Sequence, residues 1–342
     1  MVMGLGSFSG QSVATKIVAA DGSGDFTTIQ AALDDLPSTG GVVYVKEGNY
    51  TITAAISIPN SSVAIIGAGA ATVITSTSDI NLLTATSKND VMLDSLQFSG
   101  SSMTTVTNAC VSLDTCTRLH VTRCTFSSAG GIGVLINAGV NAEVSFCIFT
   151  SGLDKAISIT GSSGGSIIAN NLISQATTDG ISITGGAGQV INANRILSCG
   201  NSGIFISGIS EQAIVGNVCN SNTQSGIELS LVNDSVVSDN VCNSNTQHGI
   251  SFTTCLRNVV SGNASSENDS AASASYDGIF LNASDRNVIN GNQFWANGRY
   301  GVNVSNATCD VNLVSDNHVF ANTTGQINNV GTGTVTADNV TT

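Results

Sequence analysis

Only 10% of the 342 residues are charged, and 23 Asp and Glu outweigh 10 Lys and Arg to give a formal net charge of −13. This balance argues against binding to nucleic acid or to an anionic membrane, which both need patches of Lys and Arg, and against a polyanionic substrate that no cation assists. No apolar run approaches the ~20 residues of a membrane-spanning helix, so no membrane insertion is expected.

The N-terminal stretch predicts an arm followed by a short α-helix. Residues 1–16 lack a basic region followed by an apolar core, so no signal peptide is visible. A helix is predicted within residues 25–36, with Thr27 and Gln30 as a capping box and Pro37 as its stop. Its apolar positions fall on one helical face: Ile29, Ala32, Leu33 and Leu36. We expect this helix to cover one end of the domain that follows.

From Gly41 onward, short apolar runs alternate with turn-forming residues, and a repeat of about 23 residues emerges. The repeat is clearest where Ser-Asn-Thr-Gln at 221–224 returns at 244–247. An apolar marker, usually preceded by Gly, recurs at steps of 23 to 29 residues: Ile132, Ile157, Ile181, Ile204, Ile227, Ile250, Ile279 and Val302. A second marker is an Asn that recurs at a similar spacing, with Cys124 and Cys147 in the same phase: Asn171, Asn194, Asn217, Asn240, Asn263, Asn292, Asn317 and Asn339.

A unit of this length, built of short strands and tight turns, cannot bury its own apolar face, but it can when it stacks on copies of itself. The Leu-x-x-Leu-x-Leu line of leucine-rich repeats is absent. We therefore predict an all-β fold: a right-handed, single-stranded parallel β-helix with coils ~4.8 Å apart. Residues 1–41 would form the arm and capping helix, and residues 42–342 the β-helix. The recurrent Asn residues should form a ladder on one turn.

Nine cysteines occur, and several share a phase in the repeat. Cys219 and Cys242 occupy one position in adjacent coils, while Cys116, Cys255 and Cys309 occupy another. No CxxC motif or Cys/His cluster is present, so a metal site is not predicted. Small apolar thiols stacked inside the coil are expected. A disulfide between Cys219 and Cys242 is left open.

The stretch DGSGDFTTIQAALDDLPSTGGVVYVKEGNYTITAAISIP, from Asp21 to Pro59, resembles the opening of pectin-lyase-like β-helix proteins, and the repeats from Gly130 onward resemble theirs. This superfamily includes pectate lyases, pectin methylesterases, polygalacturonases, alginate epimerases and phage tailspikes. The resemblance implies a polysaccharide as partner and an extracellular, cell-surface or virion location. It also allows a homo-oligomer, which would be a trimer if the chain is tailspike-like.

The catalytic lines of these relatives are mostly missing. The Gln-Asp-Thr line of pectin methylesterases and the Asp-Pro-His line of alginate epimerases are absent. Of the polygalacturonase lines Asn-Thr-Asp, Asp-Asp, Gly-His-Gly and Arg-Ile-Lys, the Gly-His-Gly line is matched in part by residues 247–249, Gln-His-Gly. No catalytic residue can be carried over, so a site has to be inferred from the alignment of the coils.

Aligned coils place outward and turn residues in columns along one edge of the rod. Over the C-terminal coils these columns collect acids and aromatic residues, and the 29-residue step inserts a loop within residues 265–278, a feature typical of a binding face. The expected substrate-binding residues are Phe205, Tyr276, Phe280, Trp295, Arg299 and Tyr300. The alternative is that the aromatic residues fill gaps between turns and the acids are solvated.

Glu228 and Asp277 are the predicted catalytic pair, two coils and hence ~10 Å apart along the axis, with His248 on the coil between them. That separation is near the ~6.5–9.5 Å of an inverting glycosidase. A lyase would instead use Arg299 or Tyr300 beside a cation. No metal site or other cofactor is predicted, although Ca²⁺ bound through Asp and Glu oxygens could assist a uronate lyase.

Two classes of function stay open. The first is an enzyme that cleaves a polysaccharide, as a hydrolase ahead of a lyase. The second is a non-catalytic glycan-binding or structural rod, such as a phage tail or cell-surface module. The C-terminal cluster and the loop favour the first, and the missing catalytic lines favour the second.

Overall fold

A computed structural model describes residues 14–128 and 130–341, so the first part of the predicted arm and Thr342 lie outside the described residues. The described part forms parallel strands, one α-helix and one 3₁₀ turn at Gly69–Ala71. The helix α1 is Ile29–Asp34. The strands in chain order are β1 Thr15–Val18, β2 Gly41–Val45, β3 Gly48–Ile52, β4 Ile56–Ser57, β5 Val63–Ile66, β6 Thr72–Ser76, β7 Leu83–Thr86, β8 Asn89–Asp94, β9 Gln97–Gly100, β10 Ala109–Asp114, β11 Thr117–Thr122, β12 Thr125–Ser128, β13 Ile132–Asn137, β14 Glu143–Ser145, β15 Ile148–Phe149, β16 Ile157–Thr160, β17 Ile167–Ala169, β18 Leu172–Ser174, β19 Ile181–Ile183, β20 Val190–Asn192, β21 Arg195–Leu197, β22 Ile204–Ser207, β23 Ala213–Val215, β24 Val218–Asn220, β25 Ile227–Ser230, β26 Val236–Ser238, β27 Val241–Asn243, β28 Ile250–Thr253, β29 Val259–Ser261, β30 Ala264–Ser266, β31 Ile279–Asn282, β32 Val288–Asn290, β33 Gln293–Trp295, β34 Tyr300–Val304, β35 Leu313–Ser315, β36 His318–Phe320, β37 Gly325–Asn329, β38 Val335–Ala337 and β39 Val340–Thr341.

The strands form three parallel sheets that run the length of a right-handed solenoid of about 14 turns. We name them sheet A, with 14 strands from β1 to β38, sheet B, with 13 strands from β3 to β39, and sheet C, with 12 strands from β4 to β37. From β2 onward each coil passes through A, B and C in turn. Ile181 pairs with Ile204, and Ile204 with Ile227, so one repeat equals one coil. The predicted fold class is confirmed.

The interior is filled by the inward residue of each strand, which repeats coil after coil. Phe98, Phe126 and Phe149 stack face to face, with ring centroids 5.3 and 4.7 Å apart. All nine cysteines are free and buried, as predicted, and Cys219 and Cys242 are not bonded to each other. A core of this kind holds any single coil in place only through its neighbours.

The predicted Asn ladder lies on the turn from sheet A to sheet B and runs from Asn171 to Asn339. Each side-chain Nδ2 donates to the Oδ1 of the Asn one coil later at 2.9–3.0 Å. The same Oδ1 atoms accept backbone N–H bonds from the previous coil; that of Asn194, for example, accepts one from Asn171. This turn is tight because the residue before the Asn is left-handed, with φ of 57° at Asn170 and 66° at Gly216.

Two further ladders were not predicted. One runs along the turn from sheet B to sheet C through Asn222, Asn245, Asn268, Asn297 and Asn322. The other runs along the turn from sheet C to sheet A through Asn258, Asn287 and Asn312. The first explains why Gly precedes the apolar marker: a Cβ at Gly226 would lie 2.9 Å from Asn245 Nδ2.

Helix α1 forms within the predicted segment, with Ile29, Ala32 and Leu33 buried. Its N-cap is Thr28, whose Oγ1 accepts the Ala31 N–H at 3.3 Å, so the predicted capping box was wrong. The side chain of Gln30 instead bonds Ser57 of β4. Because α1 contacts β1, β2 and β4, and β4 is the edge strand of sheet C, the helix covers that end of the sheet.

Sheet A begins before the helix. Strand β1 pairs in parallel with β2, Thr15 facing Val42 and Val18 facing Val45, so part of the predicted arm already extends the stack. The division of the chain at residues 41 and 42 stays a prediction. In the part of the chain described, no helix has the length and apolar character needed to cross a membrane.

Candidate active site

The outer face of sheet C carries a straight column of side chains. Strand register places five residues on consecutive coils in line: Phe205, Glu228, Ser251, Phe280 and Asn303. Successive side chains of a strand point to opposite faces, and the flanking residues of these five are core, so the column faces outward. This is the edge that the sequence predicted, with Phe205, Glu228 and Phe280 half-buried on it.

A second column lies beside the first, on the turn that enters sheet C. The carbonyl oxygens of Ser202, Ser225, His248, Asp277 and Tyr300 each accept the N–H of the glycine on the previous coil, at 2.9–3.1 Å. These bonds hold the turn residues in register although four of the five lie outside the strands, Tyr300 being the first residue of β34. The column therefore brings side chains from distant parts of the chain to the same edge.

Two carboxylates meet at Ser202 in the middle of this edge. The Ser202 hydroxyl donates to Glu228 Oε2 at 2.7 Å, and the Ser202 N–H donates to Asp179 Oδ1 at 3.2 Å. Asp179 is buried, with 8% of its surface exposed, whereas Glu228 is half-buried on the outer face. One serine therefore holds two acids that differ in their access to water.

The environment of Asp179 favours its protonated form. Burial raises the pKa of Asp179 to about 6, against the lowering effects of the Ser202 N–H bond and the Lys155 ammonium. The charge of Glu228 raises the pKa further. Lys155 donates to the buried Asp154 at 2.7 Å, so its charge is already paired. Asp179 can thus carry a proton in mildly acidic solution, which suits a proton donor.

Asp277 has a different environment. It is fully buried, not presented to solvent as the sequence suggested, and Arg299 binds both of its oxygens at 2.9 and 2.6 Å. The Tyr300 N–H and the Asn303 Nδ2 donate to the same carboxylate at 3.0 and 2.9 Å. Asp277 therefore anchors the C-terminal coils to one another.

His248 lies against Asp277 and is neutral. The Asp277 N–H donates to His248 Nδ1 at 3.0 Å, so the ring proton is on Nε2. Burial lowers the pKa of His248 to about 4, against the opposing effect of the Asp277 charge. The imidazole stacks on Phe280 with ring centroids 4.4 Å apart and meets Tyr276 edge-on at 5.0 Å. His248 is thus a fixed hydrogen-bond donor within an aromatic cluster.

The predicted insertion is the segment from Glu267 to Gly278, between β30 and β31. Asp269 organises it by accepting the Ser273 N–H and hydroxyl at 3.0 and 2.7 Å and the Ser275 N–H at 3.0 Å. Although burial raises the pKa of Asp269, these bonds lower it more. The segment ends at Tyr276, so the loop and the aromatic cluster are continuous.

Trp295 is the one predicted residue that the structure does not bring to this edge. It belongs to β33 of sheet B, pairs with Ser266 and Phe320, and stacks parallel to the Phe320 ring at 6.0 Å. The others lie on sheet C or on the turn that enters it; Tyr300 holds the Arg299 guanidinium 5.6 Å from its ring centroid.

Asp179 was missed as a site residue by sequence reasoning, although it stands in the same column as His248 and Asp277. Its signal was that Asn201 and Ser202 occupy, on the next coil, the positions that Arg299 and Tyr300 occupy after Asp277. Across residues 14–128 and 130–341, no group of three or more His, Cys, Asp and Glu side chains is arranged to hold a metal ion.

Two family models match the chain. The model described as right handed beta helix region matches residues 109–265 and 179–342, and so covers more than half of the chain. The model described as pectinesterase matches residues 15–121. No curated protein matches the sequence.

Solved structures share the fold at low identity. The A-module of mannuronan C-5 epimerase AlgE6 from Azotobacter vinelandii superposes with a TM-score of 0.76 at 15% identity, over 92% of this chain and 94% of that one. DFA-IIIase from Arthrobacter chlorophenolicus A6, in complex with DFA-III, gives 0.62 at 15% identity over 77% and 76%. Tailspike protein 2 of Escherichia coli O157:H7 bacteriophage CAB120 gives 0.58 at 14% identity over 82% and 38%. At these identities the likeness establishes the fold.

Proposed function

Because the chain belongs to the right-handed β-helix family, with the pectin-lyase-like fold, we propose that it cleaves a polysaccharide laid along the outer face of sheet C, as a hydrolase ahead of a lyase. One observation carries this proposal: Asp179 and Glu228 are held by the same serine on that face. Two carboxyl groups with unlike surroundings are the machinery of most glycoside hydrolases.

In the proposed reaction Asp179 is the general acid and Glu228 the general base. Asp179 gives its proton to the glycosidic oxygen as the bond from that oxygen to the anomeric carbon breaks. Glu228 takes a proton from the water whose oxygen attacks that carbon. Glu228 suits this role because it is more exposed than Asp179 and accepts a single side-chain hydrogen bond, from Ser202. The anomeric configuration of the first product, followed by NMR, tests whether water attacks directly.

This assignment keeps Glu228 from the pair predicted by sequence and replaces Asp277 with Asp179. Both oxygens of Asp277 are engaged by the bidentate bond to Arg299, so neither is placed to face a glycosidic oxygen. In the proposal Asp277, Arg299 and His248 position the substrate. The aromatic rings of Phe205 and Phe280 lie on the two sides of Glu228 along the rod and supply stacking surfaces for sugar rings.

Hydrolysis is placed ahead of elimination because of the same pair of Arg299 and Asp277. A lyase needs a base near a neutralised carboxylate, and the guanidinium of Arg299 is already committed to Asp277. Tyr300 remains as a phenol beside that cation. The release of unsaturated sugar ends, seen by their ultraviolet absorbance, would show elimination instead.

The test is reducing-end release from a panel of polysaccharides by the wild type, Asp179→Asn and Glu228→Gln. Each variant should lose about 10²–10⁴-fold in rate, the usual contribution of a general acid or base. Asp239→Asn and Glu143→Gln are matched controls, because Asp239 lies on the turn between sheets A and B and Glu143 on sheet A. Full activity of both site variants on a cleaved substrate would refute the assignment.

A second candidate function is non-catalytic glycan binding. The absence of the Gln-Asp-Thr and Asp-Pro-His lines favours it. Under this alternative, isothermal calorimetry shows that the wild type binds a glycan, and prolonged incubation releases no reducing ends from that glycan.

A further inference from the structure

The cations of this chain are distributed unevenly around the rod. Only Lys155 and Arg299, of the ten Lys and Arg, lie on sheet C or on the turn that enters it. The others lie on sheets A and B or on the turns that leave sheets A and C: Lys16, Lys46, Lys88, Arg118, Arg123, Arg195, Arg257 and Arg286. All ten belong to the described part of the chain. The substrate face, by which we mean the outer face of sheet C with the turn that enters it, therefore carries two permanent positive charges.

Both of these charges are already neutralised by buried carboxylates. Lys155 Nζ lies 2.7 Å from Asp154 Oδ2, and the Asp154 side chain is 9% exposed. Arg299 is bound to Asp277, whose side chain is 0% exposed. A buried carboxylate that lost its partner would be left uncompensated at a high energetic penalty, so neither cation is free to turn toward a ligand. His248 adds no charge, because its Nδ1 accepts the Asp277 N–H.

The charges that remain on this face are acidic. Glu228 is half-buried on the outer face, and Glu267 is exposed on the loop. Repulsion by Glu228 would lower the affinity for a chain with a carboxylate ~4 Å away about fivefold in water, and by more where water is excluded. Hydroxyl groups meet no such repulsion, and the His248 Nε2–H and the Ser251 hydroxyl can bond them.

We propose that the substrate is a neutral polysaccharide, whose sugars carry no carboxylate, sulfate or phosphate where they face sheet C. This inference rests on the proposed function for the identity of the face, and it adds the chemical class of the chain that binds there. It follows from the pairing of Lys155 and Arg299, not from the fold, which leaves the charge of a ligand open.

The experiment uses several uronate polysaccharides of different linkage, each paired with the same chain after reduction of its carboxyl groups to primary alcohols. Binding is measured with Asp179→Asn, which keeps the Glu228 charge, at low and high salt, and cleavage is measured with the wild type. The expected result is binding to reduced, uncharged chains with no dependence on salt. Preference for the charged member of any pair, or binding to no uncharged chain, overturns the inference.

The two readouts separate this inference from the proposed function. Binding of neutral chains without cleavage by the wild type refutes hydrolysis and leaves the substrate class standing. Cleavage of a uronate chain in preference to its reduced form supports an enzyme and refutes the substrate class.

A charge variant sharpens the test. Asp154→Asn frees Lys155 from its partner while it keeps the shape of the side chain, and it should raise affinity for uronate chains about two- to fivefold at low salt, the effect of one partly exposed pair. Asp90→Asn is the matched control, because it frees Arg118 on sheet A. Equal gains in both variants would mean that general attraction, not the substrate face, sets the charge preference.

Discussion

Asp179 and Asp277 occupy the same position of the coil, two residues before the apolar marker, yet they have opposite properties. Asp277 is buried and bound by Arg299, Asn303 and the backbone of Tyr300. Asp179 is buried with one backbone N–H as its hydrogen-bond donor, and burial raises its pKa to about 6. The position within the coil determines where a side chain lies, and the residues of the next coil determine its hydrogen bonds and its pKa.

The comparison separates two kinds of acid in a single column. An acid that pairs with a cation on the next coil stabilises the stack and takes no part in proton transfer. An acid without that cation is destabilised as an anion, and it gains the ability to hold and release a proton. Repetition of the backbone thus provides many equal positions, of which few become reactive.

The largest effect is expected from removing Arg299, the cation that pairs with Asp277. Arg299→Gln would leave Asp277 buried and uncompensated, and should lower the free energy of unfolding by about 3–5 kcal/mol. The midpoint of denaturant unfolding, followed by circular dichroism, measures it. Arg257→Gln is the matched control, since its pair with Asp234 is about half exposed and should contribute about 0–1 kcal/mol. Equal losses in the two variants would contradict the distinction between the two acids.

Removing the reactive acid should stabilise the protein. The pKa of Asp179 is raised from its usual 3.8 to about 6 in the fold. The folded state is therefore favoured while this carboxyl is neutral, and this contribution to the free energy of unfolding is lost as pH rises through 6. Asp179→Asn removes this loss and should gain on the order of 1–3 kcal/mol above pH 6. The gain should vanish below about pH 4, where Asp179 is neutral in both states. A gain that is independent of pH would point to packing instead.

The same acid should set the alkaline limit of activity. A general acid works only while protonated, so kcat/KM should fall about tenfold for each pH unit above 6. His248, whose pKa is lowered to about 4, should not contribute, and His248→Gln should leave the position of this limit unchanged. A limit that moves in His248→Gln, measured on the same substrate, would assign the titration to the imidazole.

Much of the fold could be predicted because stacking forces equal positions into equal environments. The Asn171 to Asn339 series was found by its spacing, and spacing alone fixed its place on one turn. The ladder through Asn222 and Asn245 had the same signal inside the Ser-Asn-Thr-Gln repeat. It was missed because that repeat was interpreted as a turn sequence rather than as a second line of stacked amides.

The site was harder to predict because two of its features depend on turns. Alternation assigns strand residues such as Glu228 to a face, but Asp277 lies before its strand, and its burial depends on Arg299 reaching back from the next coil. Trp295 was grouped with Tyr300 because they share a coil. The turn between them carries the chain from sheet B to sheet C, so the two side chains lie on different faces.

That separation of faces gives the smallest expected effect. Phe205 stands one coil before Glu228 on the outer face of sheet C, and Phe205→Ala should weaken binding of a neutral glycan by about 0.5–1.5 kcal/mol, the value of an aromatic contact. Trp295→Ala should leave the affinity unchanged, although it removes the ring that stacks on Phe320. Calorimetric titration in the Glu228→Gln background measures both without cleavage of the ligand. Equal losses in the two variants would mean that the glycan also contacts sheet B, and the acids of sheet C would then mark one part of a longer binding surface.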